Sequence, residues 1–123
     1  MVKDPPHIVA LRSLEKTRSQ KLWQAGKQKQ FYTQVTDALR QYIADRYDVA
    51  ALEQTSAEMF RDLQDKDIDP ALTGQLKDLF TTADFVKFAK HTASDQENEN
   101  AIPTAIRFVN ETYMKEIEKE EDE

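Results

Sequence analysis

The chain has no cysteine, so neither a disulfide framework nor thiolate chemistry is open to it. It has only two glycines in 123 residues. A backbone cradle for phosphate, which needs several glycines to bring N–H groups close to the anion, is therefore not expected. Four prolines and one tryptophan complete the scarce residues. No stretch of about 18 apolar residues exists to span a bilayer, and Met1-Val2-Lys3-Asp4-Pro5-Pro6 has no apolar signal core. The two histidines, His7 and His91, have no glutamate three residues before them, so the paired ligands of a helical di-metal site are missing and no metal or cofactor is expected. Gly-x-Ser-x-Gly is absent too, and the many carboxylates fall in charge-rich surface patterns, so no catalytic residues are assigned.

What is present is helix-forming: Gln, Lys, Glu, Ala and Leu abound. The apolar share is 39%, below the about 45–50% of an average domain, which points to one small core. The strongest element is Phe31–Tyr47, where Phe31, Val35, Ala38, Leu39, Tyr42, Ile43 and Tyr47 follow a 3.6-residue period. It is expected to be the spine, running from near Lys27 to near Asp48. Before it, Asp4-Pro5-Pro6 reads as a cap followed by proline at the first helical position. That helix is expected to reach about Gln24, with Ile8, Leu11 and Leu14 inward. Gly26 then takes a left-handed conformation to end it, and the link of two or three residues makes the first two helices antiparallel.

Thr55 and Glu58 form a capping box opening a short third helix with Met59, Phe60 and Leu63 inward. Asp69-Pro70 opens a fourth, carrying Leu72, Leu76, Leu79, Phe80 and Ala83. It either continues through Phe85, Val86 and Phe88 or breaks with Asp84 as a new cap. Ser94 with Glu97 is a second capping box, before a helix through Ala101, Ile102, Ala105, Ile106, Val109 and Tyr113. Pro103 kinks that helix if it begins at Ser94 and sits comfortably if it begins near Ile102. The expected fold is all-α: a compact bundle of about five helices, the first two long and antiparallel. Residues 1–115 form one domain, and 116–123 are a charged, frayed tail.

The net charge is −6, which argues against non-specific nucleic-acid binding. Residues 1–30 nevertheless hold seven cations against two carboxylates, a net of +5, leaving −11 on the rest. Such asymmetry fits either a solvated helix face or a segment facing an anionic surface such as a membrane. Candidate interaction residues are Trp23, Lys27, Phe85, Lys87 and Lys90. Trp23 either anchors a partner or seals the corner between the first helices. Phe80, Phe85 and Phe88 either line a pocket or belong to the core, with Lys87 and Lys90 flanking them. The third and fourth helices also have the outline of a DNA-binding helix-turn-helix, but its recognition helix would lead with Asp69, facing phosphate. The glycosylation sequon at Asn110-Glu111-Thr112 is read as chance.

One ordered set of motifs goes further. It runs His7-Ile8-Val9-Ala10-Leu11, Lys21-Leu22-Trp23 with Gly26-Lys27, Phe31-Tyr32, then Leu39-Arg40-Gln41-Tyr42-Ile43 with Arg46-Tyr47. Thr55 with Glu58 follows, then Ala83-Asp84-Phe85-Val86-Lys87-Phe88-Ala89-Lys90, and finally Ala105-Ile106-Arg107-Phe108-Val109 with Glu111-Thr112. Over about residues 5–113 this resembles the cytoplasmic C-terminal domain of BatD-like bacterial membrane proteins of the aerotolerance-operon type. The resemblance implies a transmembrane helix just before the domain. It implies a place on the cytoplasmic side of the bacterial inner membrane, and partners among MoxR-type AAA ATPases and von Willebrand factor A proteins. It implies a non-catalytic interaction module without cofactor. Residues 1–30 would then lie closest to the membrane, and the acidic remainder would face a partner.

Overall fold

The expected spine is helix α2, Gln28–Tyr47 in a computed structural model that describes residues 3–122. Phe31, Tyr32, Val35, Leu39, Tyr42 and Ile43 on it are all 1% exposed or less. At about 1.5–3 kcal/mol for each large apolar side chain removed from water, this single face is a major share of the folding drive. Asp48, in the left-handed region at φ 56, stops the helix. A short polar side chain tolerates that conformation better than most.

Helix α1 spans Pro6–Ser19, a 3-10 turn spans Ala51–Glu53, and α3, α4 and α5 span Ser56–Leu63, Pro70–Phe88 and Asp95–Asp122. No strand occurs among the described residues. Side-chain pairs set the directions. Tyr32 meets Asn98, Tyr42 meets Thr112 and Arg46 meets Glu116, so α5 runs parallel to α2. Lys87 meets Thr36 and Arg40 meets Phe80, so α4 runs antiparallel. Thr17 meets Gln34, and Ser13 shares a groove with Gln41, so α1 is antiparallel as well. The helices α1 and α4 each pack on both α2 and α5. The core is the seam between them.

Several boundaries differ from the sequence expectation, each for a local reason. α1 ends at Ser19, not near Gln24, because Lys21 turns left-handed at φ 50. Leu22–Gly26 then makes one more turn, closed by the Lys27 N–H on the Leu22 carbonyl at 2.8 Å. Gly26, at φ +79, is left-handed as expected, but it closes this turn in a link running Gln20–Lys27, longer than two or three residues. Asp4 does not cap α1; it pairs with Arg12 at 2.9 Å, and Pro5 precedes Pro6 at the first helical position. The buried face of α1 is Ala10, Leu14 and Thr17, whereas Ile8 is 37% exposed and Leu11 is only half-buried. The helix is rotated because it must face two neighbours. His7 stacks on Tyr113 of α5 at 3.6 Å between ring centroids, and Thr17 bonds α2.

The capping boxes form as read. Thr55 Oγ1 accepts the Glu58 N–H at 3.2 Å, and Glu58 Oε1 accepts the Thr55 N–H at 2.9 Å. Ser94 and Glu97 do the same at 3.1 and 2.9 Å, and Asp69 caps α4 on the Ala71 N–H at 2.9 Å. α4 is unbroken at Asp84, because Leu76, Leu79, Phe80, Ala83 and Val86 form one buried stripe across that point. α5 starts at Asp95 and keeps Pro103 inside it. The proline faces solvent while Ala101, Ile102 and Ala105 around it are buried, so packing on both sides carries the helix past the missing bond.

The expected frayed tail is helical from Glu116 through Asp122; Glu123, and Met1 and Val2 of the cationic segment, lie outside the described residues. Arg46 holds Glu116 at 2.9 Å, and Asp67, in the turn after α3, takes both Lys115 at 2.9 Å and Lys119 at 2.6 Å. Hydrogen bonds from these two lysines hold the Asp67 carboxyl down at about 2, against a usual 3.8. A depressed carboxyl pKa stabilises the fold above the unfolded value and stops doing so as pH falls through the folded one. The end of α5 is therefore expected to loosen between about pH 4 and pH 2. Backbone amide exchange of residues 115–119 checks this: a faster rate at pH 2 relative to the core, abolished as a difference in Asp67→Asn, is the expected result.

Candidate interaction surface

The end of α4 carries the exposed aromatics. Phe88 is 78% exposed and Phe85 is 53% exposed, so neither belongs to the core, although Phe80, one turn earlier, is buried. Helical geometry explains the split. Ala83 and Val86 continue the inward stripe, whereas Phe85 and Phe88 fall on the far side of the helix from it. Exposed phenylalanines three residues apart are neighbours on one helix face.

The cations around them are held in place. Lys87 is half-buried, and its Nζ donates to Thr36 Oγ1 at 3.2 Å while lying 5.5 Å from the centre of the Phe88 ring. Burial pushes its pKa down, with Arg40 adding to that and Asp84 and Asp37 opposing it. Lys90 is exposed and sits at φ 55, so it is the left-handed residue that ends α4. The His91 N–H then closes on the Phe85 carbonyl at 3.1 Å, and the His91 ring meets Phe85 edge-on at 6.1 Å. The following segment is clamped by Gln28, whose side-chain amide both donates to and accepts from the backbone of Ala93, at 3.0 and 2.8 Å. This clamp puts Lys27, the residue before α2, at the same end of the bundle as Lys90.

Next to this end lies an open groove of about 690 Å³ between α3 and α4. Phe60 and Phe80 meet edge-to-face at 5.5 Å within it, and Arg61 and Lys77 line it, opposed by Asp84. Lys77, Thr81 and Phe85 follow at intervals of four, so one ridge of α4 runs from the groove out to the exposed rings.

Trp23 is separate from this ridge. It is half-buried, packs against the core and lines a cavity with Asn98 and Pro103 of α5. Of the five residues read from the sequence, Phe85, Lys87 and Lys90 thus form one cluster, Lys27 shares its end of the bundle, and Trp23 faces α5. The cationic first thirty residues are not one patch either. α1 carries Arg12 away from Arg18, Lys21, Lys27 and Lys29, which lie where α1 ends and α2 begins.

Two residues central to the geometry had no assigned role in the sequence reading. Arg40 donates from one nitrogen to the carbonyls of Ala51 and Gln54, each at 2.7 Å, and from another to Ser56 Oγ at 3.1 Å. Asn98 is 2% exposed and accepts the Tyr32 hydroxyl at 2.9 Å. The signal for Asn98 was its place at i−3 and i−4 to Ala101 and Ile102, on the inward face. Among the described residues no three His, Cys, Asp or Glu side chains converge as metal ligands would, and no helix is long and apolar enough to cross a membrane. No protein-family model, curated protein or solved structure matches this chain.

Proposed function

We propose that the domain is a non-catalytic protein-interaction module, the cytoplasmic part of a membrane-anchored BatD-like cell-envelope protein that works with a MoxR-type AAA ATPase and von Willebrand factor A proteins. The observation that carries the interaction reading is the exposed Phe85 and Phe88 pair beside Lys87 and Lys90. Two large aromatics left in water on one face, rimmed by cations, are the composition of an interface centre. The ordered motifs from His7 to Thr112 are what supports the proposed family and partners. The positions of the charges modify the geometry expected of such a module. An anchor entering at Pro5 meets the start of α1, while Arg18 to Lys29 and Lys90 lie at the other end of that helix. The cation-and-aromatic end then faces away from the bilayer, towards the partner. A DNA-binding reading is disfavoured by Asp67 and Asp69 at the entry to α4, where a recognition helix would meet phosphate.

The test is co-precipitation of the purified domain with the MoxR-type ATPase of its own operon. The wild type is expected to retain the ATPase, and Phe85→Ala/Phe88→Ala to lose at least about tenfold in affinity, since two aromatic anchors together contribute about 2 kcal/mol or more. Both rings are exposed, so the variant is expected to keep its stability within about 0.5 kcal/mol per site. No retention of the ATPase by the wild type sinks the partner assignment. Equal retention by the variant removes the surface.

A further inference from the structure

The cations that follow α1 and its link sort into two groups. Arg46, Lys66, Lys115 and Lys119 each pair with a carboxylate. Arg40, Arg61, Lys77, Lys87 and Lys90 make no ion pair among the described residues, although residues 31–123 carry a net −11. These five share one surface. Arg61 and Lys77 line the groove of about 690 Å³ between α3 and α4, Arg40 lies over its Phe80 floor, and Lys87 and Lys90 stand at the end of α4. Aromatic rings hold three of them: Arg40 is 5.3 Å from the centre of Phe80, Lys77 is 5.8 Å from Phe60 and Lys87 is 5.5 Å from Phe88. A ring face attracts a cation without neutralising it, so the charge stays open to an anion. Asp84 is the one carboxylate on the groove wall. Glu58, one turn before Arg61, is turned back onto the Thr55 N–H, and Asp37 of α2 lies near Lys87.

Resting on the interaction reading of Phe85 and Phe88, we propose that the occupant of this surface is an acidic amphipathic helix of the partner, its carboxylates on Arg61 and Lys77 and its apolar side chains on Phe85 and Phe88. Phe60 and Phe80 are nearly buried, so the groove offers charge and the apolar contact comes from the two exposed rings. Phe85 and Phe88 lie one turn beyond Thr81 and Asp84 of the groove wall, so groove and rings form one continuous face. From Lys77 to Phe88 that face is about 16 Å long, or about three turns of an occupant helix. No strand edge occurs among the described residues for an extended chain to pair with. The occupant therefore satisfies its own backbone, as a helix laid in a groove does. Nucleic acid fits less well, because Asp84 stands among the cations and the chain as a whole carries −6.

The probe is a synthetic peptide of about 16 residues, long enough to hold a helix alone, made of Glu and Ala with Leu and Phe along one face. Two controls keep its length, one with Lys for every Glu and one with Ala for Leu and Phe. Each is titrated into the whole chain at pH 7 and read by backbone amide shifts. The acidic peptide is expected to shift Arg61, Lys77 and Phe85 saturably, with Kd on the order of 0.1 mM. Raising salt from about 0.05 to about 0.5 M is expected to weaken it at least about fivefold, and neither control is expected to saturate. Arg61→Glu/Lys77→Glu is expected to weaken binding at least about tenfold, and Arg107→Glu, exposed on α5 and outside the groove wall, to leave it unchanged. Should Lys77→Glu disturb Phe60 beneath it, Arg61→Glu with Lys77→Gln decides. No saturable response to the acidic peptide, an equal response to the lysine peptide, unchanged affinity in the charge variants, or tighter binding of an oligothymidylate would each overturn the proposal. ATPase retention lost in Phe85→Ala/Phe88→Ala but kept in Arg61→Glu/Lys77→Glu would leave the surface standing and refute the acidic helix. Peptide binding without ATPase retention would sink the ATPase and support the helix.

Discussion

Phe108→Ala is expected to destabilise the domain by about 3–5 kcal/mol. Phe108 is 1% exposed and sits on α5 where that helix lies along α2, with its ring edge-on to Tyr42 at 6.1 Å. Tyr42 is also 1% exposed, and its hydroxyl meets Thr112 Oγ1 at 2.6 Å. Thr112 Oγ1 in turn bonds the Phe108 carbonyl at 2.6 Å. Burial pushes the Tyr42 hydroxyl up to about 12, with Tyr47 and Glu116 adding to that and Thr112 and Arg46 opposing it, so it stays protonated throughout the working range of pH. The ring of Phe108 is therefore walled by a hydrogen-bonded network that cannot collapse inward without breaking its own bonds. A cavity opened there stays open, which puts the cost at the upper part of the range for aromatic truncation. With a whole-domain stability of about 5–15 kcal/mol, the variant is expected to lose about 10–20 °C in Tm. Ile8→Ala is the paired control: 37% exposed on the outer side of α1, it is expected to cost less than about 1 kcal/mol. Urea denaturation of both variants checks the contrast. Similar losses would show that α1 presents Ile8 inward, as its spacing with Leu11 and Leu14 suggested.

That spacing shows where the chain was legible and where it was not. The all-α class, α2 from Phe31 to Tyr47, and the caps at Thr55, Ser94 and Asp69 are local. Each is written in the period of the apolar residues or in a hydroxyl or carboxylate two or three residues from the N–H it serves. The rotation of α1 is not local. Ala10, Leu14 and Thr17 are buried because α1 touches both α2 and α5, and a threonine on the inward face is invisible until Gln34 is there to bond it. The end of α5 misled for the same reason. Glu116 to Asp122 reads as a solvated tail until Arg46, Asp67 and their partners are brought beside it from elsewhere in the chain. The aromatic triplet Phe80, Phe85 and Phe88 was ambiguous in sequence because both a pocket and a core use aromatics at helical spacing. The unbroken course of α4 decides it by turning the first ring inward and the other two out.

Arg40 is the sharpest case of a role that only the fold reveals, and its removal carries the second large expected effect. The sequence Leu39-Arg40-Gln41 places it next to a core leucine, on the shoulder of α2. Its guanidinium reaches the carbonyls of Ala51 and Gln54 and the hydroxyl of Ser56, and lies 5.3 Å from the centre of the Phe80 ring. One side chain thus fastens the 3-10 turn and the start of α3 to α2. With 8 residues α3 is shorter than any helix stable alone in water, about 12–15 residues, so it exists by being held. Arg40→Met keeps the hydrophobic stem and removes the fork. Of its three charge-assisted bonds the two to carbonyls, at about 1.5–3 kcal/mol each and less what water recovers at a half-buried site, already predict a loss of about 2–4 kcal/mol. Arg40→Lys is expected to recover less than half of it, because a single ammonium on a shorter stem does not replace two guanidinium nitrogens, one on both carbonyls and one on Ser56 Oγ. The loss is expected to be uneven: amides of Met59 and Phe60 should exchange faster before those of Leu39 and Ile43 do. Since α3 is one wall of the groove beside Phe85, the same variant is expected to weaken partner binding without touching the exposed rings. Uniform acceleration of exchange across all helices, or full stability in Arg40→Met, would refute the idea that this residue is what positions α3.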